Sequence, residues 1–239
     1  MQSRNPDGEI STVPEITRPQ AILDVLLALL LVLAASLFAA LLVPGLPSIP
    51  GAPAVVTPLL QGAVILAGLY WLLARRGQGW RQIGFRRPQL VDIGRAGLAL
   101  LAVFAVNALL ALAITYLLPH VMEAHQDRLS EVAQLLVGDL PLVAVAGTML
   151  FVGFYEEALA RGFLLRRCQI LLRGVWAPVL ISSMLFGLGH FYQGWFGVIQ
   201  TTLVGIVFAR LVIYWGTLWP VILAHAALNT IALLILRNL

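Results

Sequence analysis

Lysine is absent from this chain: all fifteen basic positions among its 239 residues are arginine. Charge of either sign is scarce, at 11% of residues, where a soluble domain carries about 25%. Apolar residues make up 60% and the mean hydropathy is +0.93. This composition excludes a disordered chain and argues against an ordinary soluble enzyme, because too little polar surface remains to cover a globule. The single cysteine, Cys168, excludes an intramolecular disulfide, a CxxC pair and a Cys/His finger. A net charge of +4 and a pI near 9.8 raise nucleic acid as a partner. The arginines lie beside long apolar runs, however, an arrangement that reads as membrane orientation and not as phosphate binding.

A spanning helix needs roughly 20 mostly apolar residues. Residues 1–20 carry Arg4, Asp7, Glu9, Glu15 and Arg18 among prolines and read as a flexible tail. The runs predict helices over about Ala21–Val43, Ala54–Ala74, Val91–Leu118, Pro141–Arg167, Trp176–His190, Phe196–Tyr214 and Leu218–Leu236. A proline/glycine stretch at residues 44–53 separates the first two, and a polar loop with His120, Glu123, His125, Asp127, Arg128, Glu131 and Asp139 precedes Pro141. The expected fold is all-α, a polytopic membrane bundle of about seven transmembrane helices, with six to eight as the range. After the tail, residues 21–239 read as a single transmembrane domain.

Arginine placement sets the orientation. With the N-terminus inside, the inner loops hold Arg75–Arg87, then Arg166, Arg167 and Arg173, then Arg210, while the outer loops hold Arg128 alone. Arg237 then falls outside, against the trend. The expected location is a plasma membrane, with a cytoplasmic N-terminus.

Ionisable groups inside a span cost about 2.5–3.5 kcal/mol each on insertion scales and so mark function by default. Here they cluster late in the chain: Glu156, Glu157 and Arg161 on the fourth predicted helix, His190 at the end of the fifth, and His225 with Asn229 on the seventh. Glu157 and Arg161, four residues apart, share a helix face and can pair. Glu156 points about 100° away, free to face a cavity. Gly153 and Ala160 near its face permit close helix approach. His225 and Asn229 also share a face, and Phe186 can pack on His190. Among the remaining polar residues, Asn107 reads as an interhelical hydrogen bond, and Ser182 and Ser183 as helix-bonded or facing a neighbour. His120 and His125 read as solvated, Cys168 as inert, and Trp80 with Phe85 as an interfacial anchor.

Two chemistries fit the cluster. In one, Glu156 is a general base on water assisted by His190, with His225 and Asn229 donating to an oxyanion. In the other, Glu156, His190 and His225 are three ligands of a catalytic zinc with one open position. Both give peptide hydrolysis within the membrane. HExxH and GxSxG are absent, and no pair of aspartates lies within spans. A non-catalytic scaffold or immunity protein that binds a peptide is the competing class. A transporter is weaker, because no inverted repeat is visible.

Three motifs occur in order on successive late helices: Glu156-Glu157-Ala-Leu-Ala-Arg161 as EExxxR, Phe186-Gly-Leu-Gly-His190 as FxxxH, and His225-Ala-Ala-Leu-Asn229 as HxxxN. Over about residues 141–236 the chain resembles the CPBP family of CAAX prenyl proteases and bacteriocin-processing membrane proteases, also called Abi. The resemblance implies an intramembrane endopeptidase in which Glu156 activates water with His190 while His225 and Asn229 form the oxyanion site. Glu157 and Arg161 would support the motif helix. Both metal-dependent and metal-free glutamate mechanisms have been put forward for the family. Eukaryotic members trim prenylated CAAX proteins, whereas bacterial-type members have more varied peptide substrates. The lysine-free, Ala/Leu/Arg-rich composition looks bacterial. The expected partners are the bilayer and a membrane-associated peptide or protein, with no nucleic acid, and the oligomeric state is open.

One geometric expectation can be checked directly. At 1.5 Å per residue, Glu156 lies roughly 16 Å, His225 roughly 12 Å and His190 roughly 21 Å from the inner helix ends. Tilt of the short fifth helix, or a later entry for the fourth, would align them.

Overall fold

A computed structural model describes residues 3–4, 10–11, 15–43, 52–137 and 140–237. The expected break at residues 44–53 and the loop residue Asp139 fall wholly or mainly outside them. The described chain is helical apart from a two-residue antiparallel ladder, Ser3–Arg4 with Ile10–Ser11. The helices are α1 (Arg18–Leu42), α2 (Ala52–Ala74), α3 (Val91–Leu117), α4 (Pro119–Val137), α5 (Leu142–Glu157), α6 (Leu165–Leu171), α7 (Trp176–Leu188), α8 (Gly194–Trp215) and α9 (Trp219–Leu236). A π-helical turn, Ala158–Leu164, joins α5 to α6 in one continuous helical segment, Leu142–Leu171. Six of the described segments are long and apolar enough to cross a membrane, and α7 is a shorter apolar helix. The protein is a polytopic helical membrane bundle.

Helix is the structure these apolar runs must adopt, because lipid offers no partner for a free backbone N–H or C=O. Large side chains stay exposed along the outer helices, among them Leu30, Leu33, Leu98, Leu101 and Leu109. In water such a surface would aggregate; in a bilayer it meets acyl chains. Beside a small cluster of Leu165, Val179 and Ala209 at α6, α7 and α8, the described interior divides into two larger packed clusters. One joins α1, α2 and α5 through Ala28, Ala35, Ile65, Leu69, Val145 and Val152. The other joins α3, α8 and α9 through Ala99, Val103, Phe208, Val221 and Ile222. Many contact positions are Ala or Gly, as close packing of membrane helices requires.

Polar contacts identify one end of the bundle. Asp24 near the start of α1 is fully buried and accepts from Arg76 just after α2 and from Arg167 in α6, at 2.9 Å in both cases. Arg167 also donates to Gln78. Trp219 at the start of α9 donates to the Arg86 carbonyl at 2.7 Å. These ends therefore lie together and form the arginine-rich end. At the opposite end, Arg237 donates to the Leu140 carbonyl at 2.9 Å. That contact gives the one arginine against the charge trend a specific partner.

Residues 119–137 correct one expectation. They form the amphipathic helix α4 where a polar loop was expected. His125 is correspondingly not solvated: it is buried, bonds Gln200 on α8 at 3.1 Å and packs edge-on against Phe196. Gln200 in turn donates to Asn107 on α3, the interhelical hydrogen bond expected there. The Pro119 start and the apolar positions Val121, Met122, Leu129 and Val132 carried the helical signal, which a count of charged residues obscured.

Candidate active site

Glu156 and Glu157 are the last two residues of α5, and the π-helical turn begins at the next residue. Such turns are rare and concentrate where a helix must re-aim side chains. The approach of α9 to this point depends on Gly153. A Cβ there would stand 3.0 Å from the Ile222 carbonyl oxygen and 3.2 Å from the Ala226 nitrogen, so any larger residue forces the two backbones apart. Ala160 is also buried.

Glu157 is fully buried, and its Oε1 accepts two charge-assisted bonds. Arg161 Nη1 donates at 2.7 Å and His225 Nδ1 donates at 2.7 Å. The Arg161 guanidinium lies 4.1 Å from the Phe186 ring centre and 5.6 Å from that of Phe208. A desolvated cation over two aromatic faces recovers part of its burial cost. Phe186 does more than pack: its carbonyl accepts from His190 Nδ1 at 3.0 Å, and its ring lies 4.7 Å from the His190 ring. Glu157, Arg161 and Phe186 thus orient both histidines.

With each Nδ1 occupied, each Nε2 points to the same place. His190 Nε2 is 3.8 Å and His225 Nε2 3.6 Å from Glu156 Oε2. The three groups that the depth arithmetic separated are brought together, because α7 ends at Leu188 and His190 continues in a turn beyond it. Asn229 lies one turn beyond His225 on α9, partly buried, and its side chain bonds no other described residue. Glu156 keeps 19% and His190 16% exposure, against 0% for Glu157. Only the first pair is open to a reactant. Glu156 Oε2 has no hydrogen-bond partner. Gaps of 3.6–3.8 Å are too long for direct bonds but suit one water held at about 2.8 Å by two groups.

The donor types also suit zinc, since metal-binding histidines donate their second ring N–H to a carboxylate or carbonyl, as here. The spacing does not close. A tetrahedral zinc with bonds of about 2.0–2.1 Å wants donors about 3.3 Å apart. Among the described residues no group of three His, Cys, Asp or Glu is placed to hold a metal ion.

Sequence reasoning missed several features. Phe208 flanks Arg161 and His225, and the Tyr192 ring lies 5.8 Å from that of His190. Ser183 is buried with an unpartnered hydroxyl, while Ser182 bonds the Val179 carbonyl within its helix as expected. Trp80 and Phe85 are not a simple interfacial anchor: Phe85 packs on Trp80, Phe154 and Trp219 in an aromatic cluster. Asp24 gave no signal beyond lying near a helix end.

Residues 138–231 match the family model described as Rce1-like, type II CAAX prenyl endopeptidase Rce1-like. The match contains every side chain that converges on Glu156. No curated protein and no solved structure matches the chain.

Proposed function

We propose that the chain is a peptide hydrolase of the membrane, a reading supported by the match of residues 138–231 to the Rce1-like, type II CAAX prenyl endopeptidase model and by its apolar spans, and that Glu156 is its general base. The substrate is a peptide bond of a membrane-associated protein. Glu156 Oε2 takes a proton from a water that His190 Nε2 also contacts. The water oxygen bonds to the scissile carbonyl carbon, and the carbonyl oxygen becomes an oxyanion. His225 Nε2–H and the Asn229 amide donate to that oxyanion. Glu156 then passes its proton to the leaving nitrogen, the C–N bond breaks, and a carboxylic acid and an amine depart. Because Glu157 holds the Nδ1 proton of His225, donation from Nε2 requires the imidazolium form. A zinc ligand would need a lone pair on that atom, so the two readings differ by one proton. With the imidazolium, the charges of Glu156, Glu157, Arg161 and His225 cancel, which suits a low-dielectric site. The observation that carries this reading is the unpartnered Glu156 Oε2 facing two pre-oriented imidazoles. The arginine-rich end faces the cytoplasm, by the charge asymmetry of the loops.

The test is cleavage of a fluorogenic membrane peptide by protein purified in detergent. Glu156→Gln should lose about 10²–10⁴-fold in kcat, the range for a general base, while activity survives exhaustive chelation. Full activity in Glu156→Gln sinks the proposal. Activity lost on chelation and restored by zinc would favour the metal reading, for which both fixed Nδ1 atoms speak. Peptide binding without turnover by the wild type would favour the scaffold.

A further inference from the structure

At the arginine-rich end, the segment between α2 and α3 builds a second feature. A cleft of about 460 Å³ is lined by Arg81, Phe85, Arg86 and Arg87. That volume lies within the range of small-ligand sites, about 300–1,000 Å³. The segment is pinned in place. The Gly84 carbonyl accepts from the Leu218 N–H at 3.3 Å, the Arg86 carbonyl accepts from Trp219 Nε1, and Phe85 is held in the aromatic cluster. Gly84 itself sits at φ +106°, a conformation that other residues rarely adopt, and its turn aims the following arginines.

Charge here is unbalanced. Among the described residues, Asp92 is the one carboxylate within ion-pair distance of these arginines, and it is already taken by Arg86 and Arg95. Arg81 and Arg87 have no carboxylate within ion-pair distance among the described residues. Arg166 adds a further guanidinium, with Nη2 within 3.5 Å of where a Gly84 Cβ would stand and a buried, unpartnered Nε. Uncompensated guanidiniums at one cleft, with forked donors, form a phosphate-type recognition surface. Immediately beyond Arg87, the side chains of Leu90, Val91 and Ile93 are exposed. The cleft therefore stands at the edge of the apolar belt.

We propose that this cleft binds a phosphate group presented by an acidic phospholipid, with Arg81 and Arg87 as its principal ligands and the acyl chains along Leu90, Val91 and Ile93. The apolar border selects a lipid over a free anion. Neither arginine has a structural partner to lose, so their variants should fold normally. Native mass spectrometry of the whole protein in a neutral detergent, titrated with phosphatidylglycerol or phosphatidylcholine, is the test, and it needs no proteolytic activity. Phosphatidylglycerol should bind at least about tenfold tighter than phosphatidylcholine. Each of R81Q and R87Q should weaken it about fivefold, in line with one basic residue near a membrane surface. R128Q, at the opposite end, should leave it unchanged. Equal binding of the two lipids, or undiminished phosphatidylglycerol binding in the R81Q/R87Q double variant, overturns the proposal. So does a cleft that takes inorganic phosphate in competition while showing no lipid preference.

Discussion

Two clusters of buried charge cross this bundle, and they differ in how completely their atoms are satisfied. Around Asp24 both carboxylate oxygens are taken. Arg76 donates from Nε and Nη2, and Arg167 donates from Nε and passes its Nη2 to Gln78. Around Glu156 the pattern is reversed. Glu156 Oε2, Glu157 Oε2 and Arg161 Nη2 are buried without partners. Buried charge is costly in either case, but a closed network recovers the cost within itself, whereas an open one leaves atoms for a reactant. The first cluster staples α1, α2 and α6; the second joins the end of α5, the π-helical turn, the turn after α7 and α9, where the proposed reaction would take place.

Substitutions should separate the two. The largest combined effect is expected for Arg161→Ala, which strands the buried Glu157 and removes the cation over Phe186. Stability should fall by about 3–5 kcal/mol and cleavage should be lost, read by melting temperature and by turnover per folded molecule. Asp24→Asn should cost stability on a similar scale, because Arg76 and Arg167 then lie together without their anion. Turnover per folded molecule should be nearly unchanged. Substantial loss of turnover there would show that the staple also shapes the site and would break the comparison. Gly153→Ala should be milder, about 1–3 kcal/mol of overpacking, with α9 and His225 displaced from Glu156. A kcat reduced more than the melting temperature suggests would sharpen the account.

The smallest effect is expected from α4. Burial, opposed by hydrogen bonds from the ring to the Gln200 side-chain oxygen and the Gln193 backbone and aided by Arg128, holds the His125 pKa below its usual 6.5. The unfolded chain therefore binds the proton more readily than the folded one. His125 contributes stability above about pH 6.5 and loses it as pH falls towards the depressed folded value. Melting temperatures of the wild type and His125→Gln should diverge across that interval, with the wild type more sensitive to acid. Parallel curves would remove His125 from the docking of α4.

The sequence made the spans and the site legible to different depths. Long apolar runs and arginine placement located nearly every helix within a few residues, because lipid forces such runs into helix. The Glu157–Arg161 pair was legible from its spacing alone, since four residues along a helix fix proximity. The meeting of Glu156 with His190 was not: it depends on the early end of α7 and on the π-helical turn, neither of which has a composition signature. The Asp24–Arg167 bond spans 143 residues and follows from packing alone. The bond between His225 Nδ1 and Glu157 likewise required coordinates, and it ties Glu157 to a ring on α9 as well as to Arg161.

The most direct test places the two clusters side by side: turnover per folded molecule and melting temperature of Glu156→Gln and Asp24→Asn, measured on the same membrane peptide. The account predicts that Glu156→Gln melts like the wild type and cleaves about 10²–10⁴-fold more slowly, while Asp24→Asn melts lower and cleaves normally once folded. An active Glu156→Gln, or an Asp24→Asn that is stable but inactive, would contradict it.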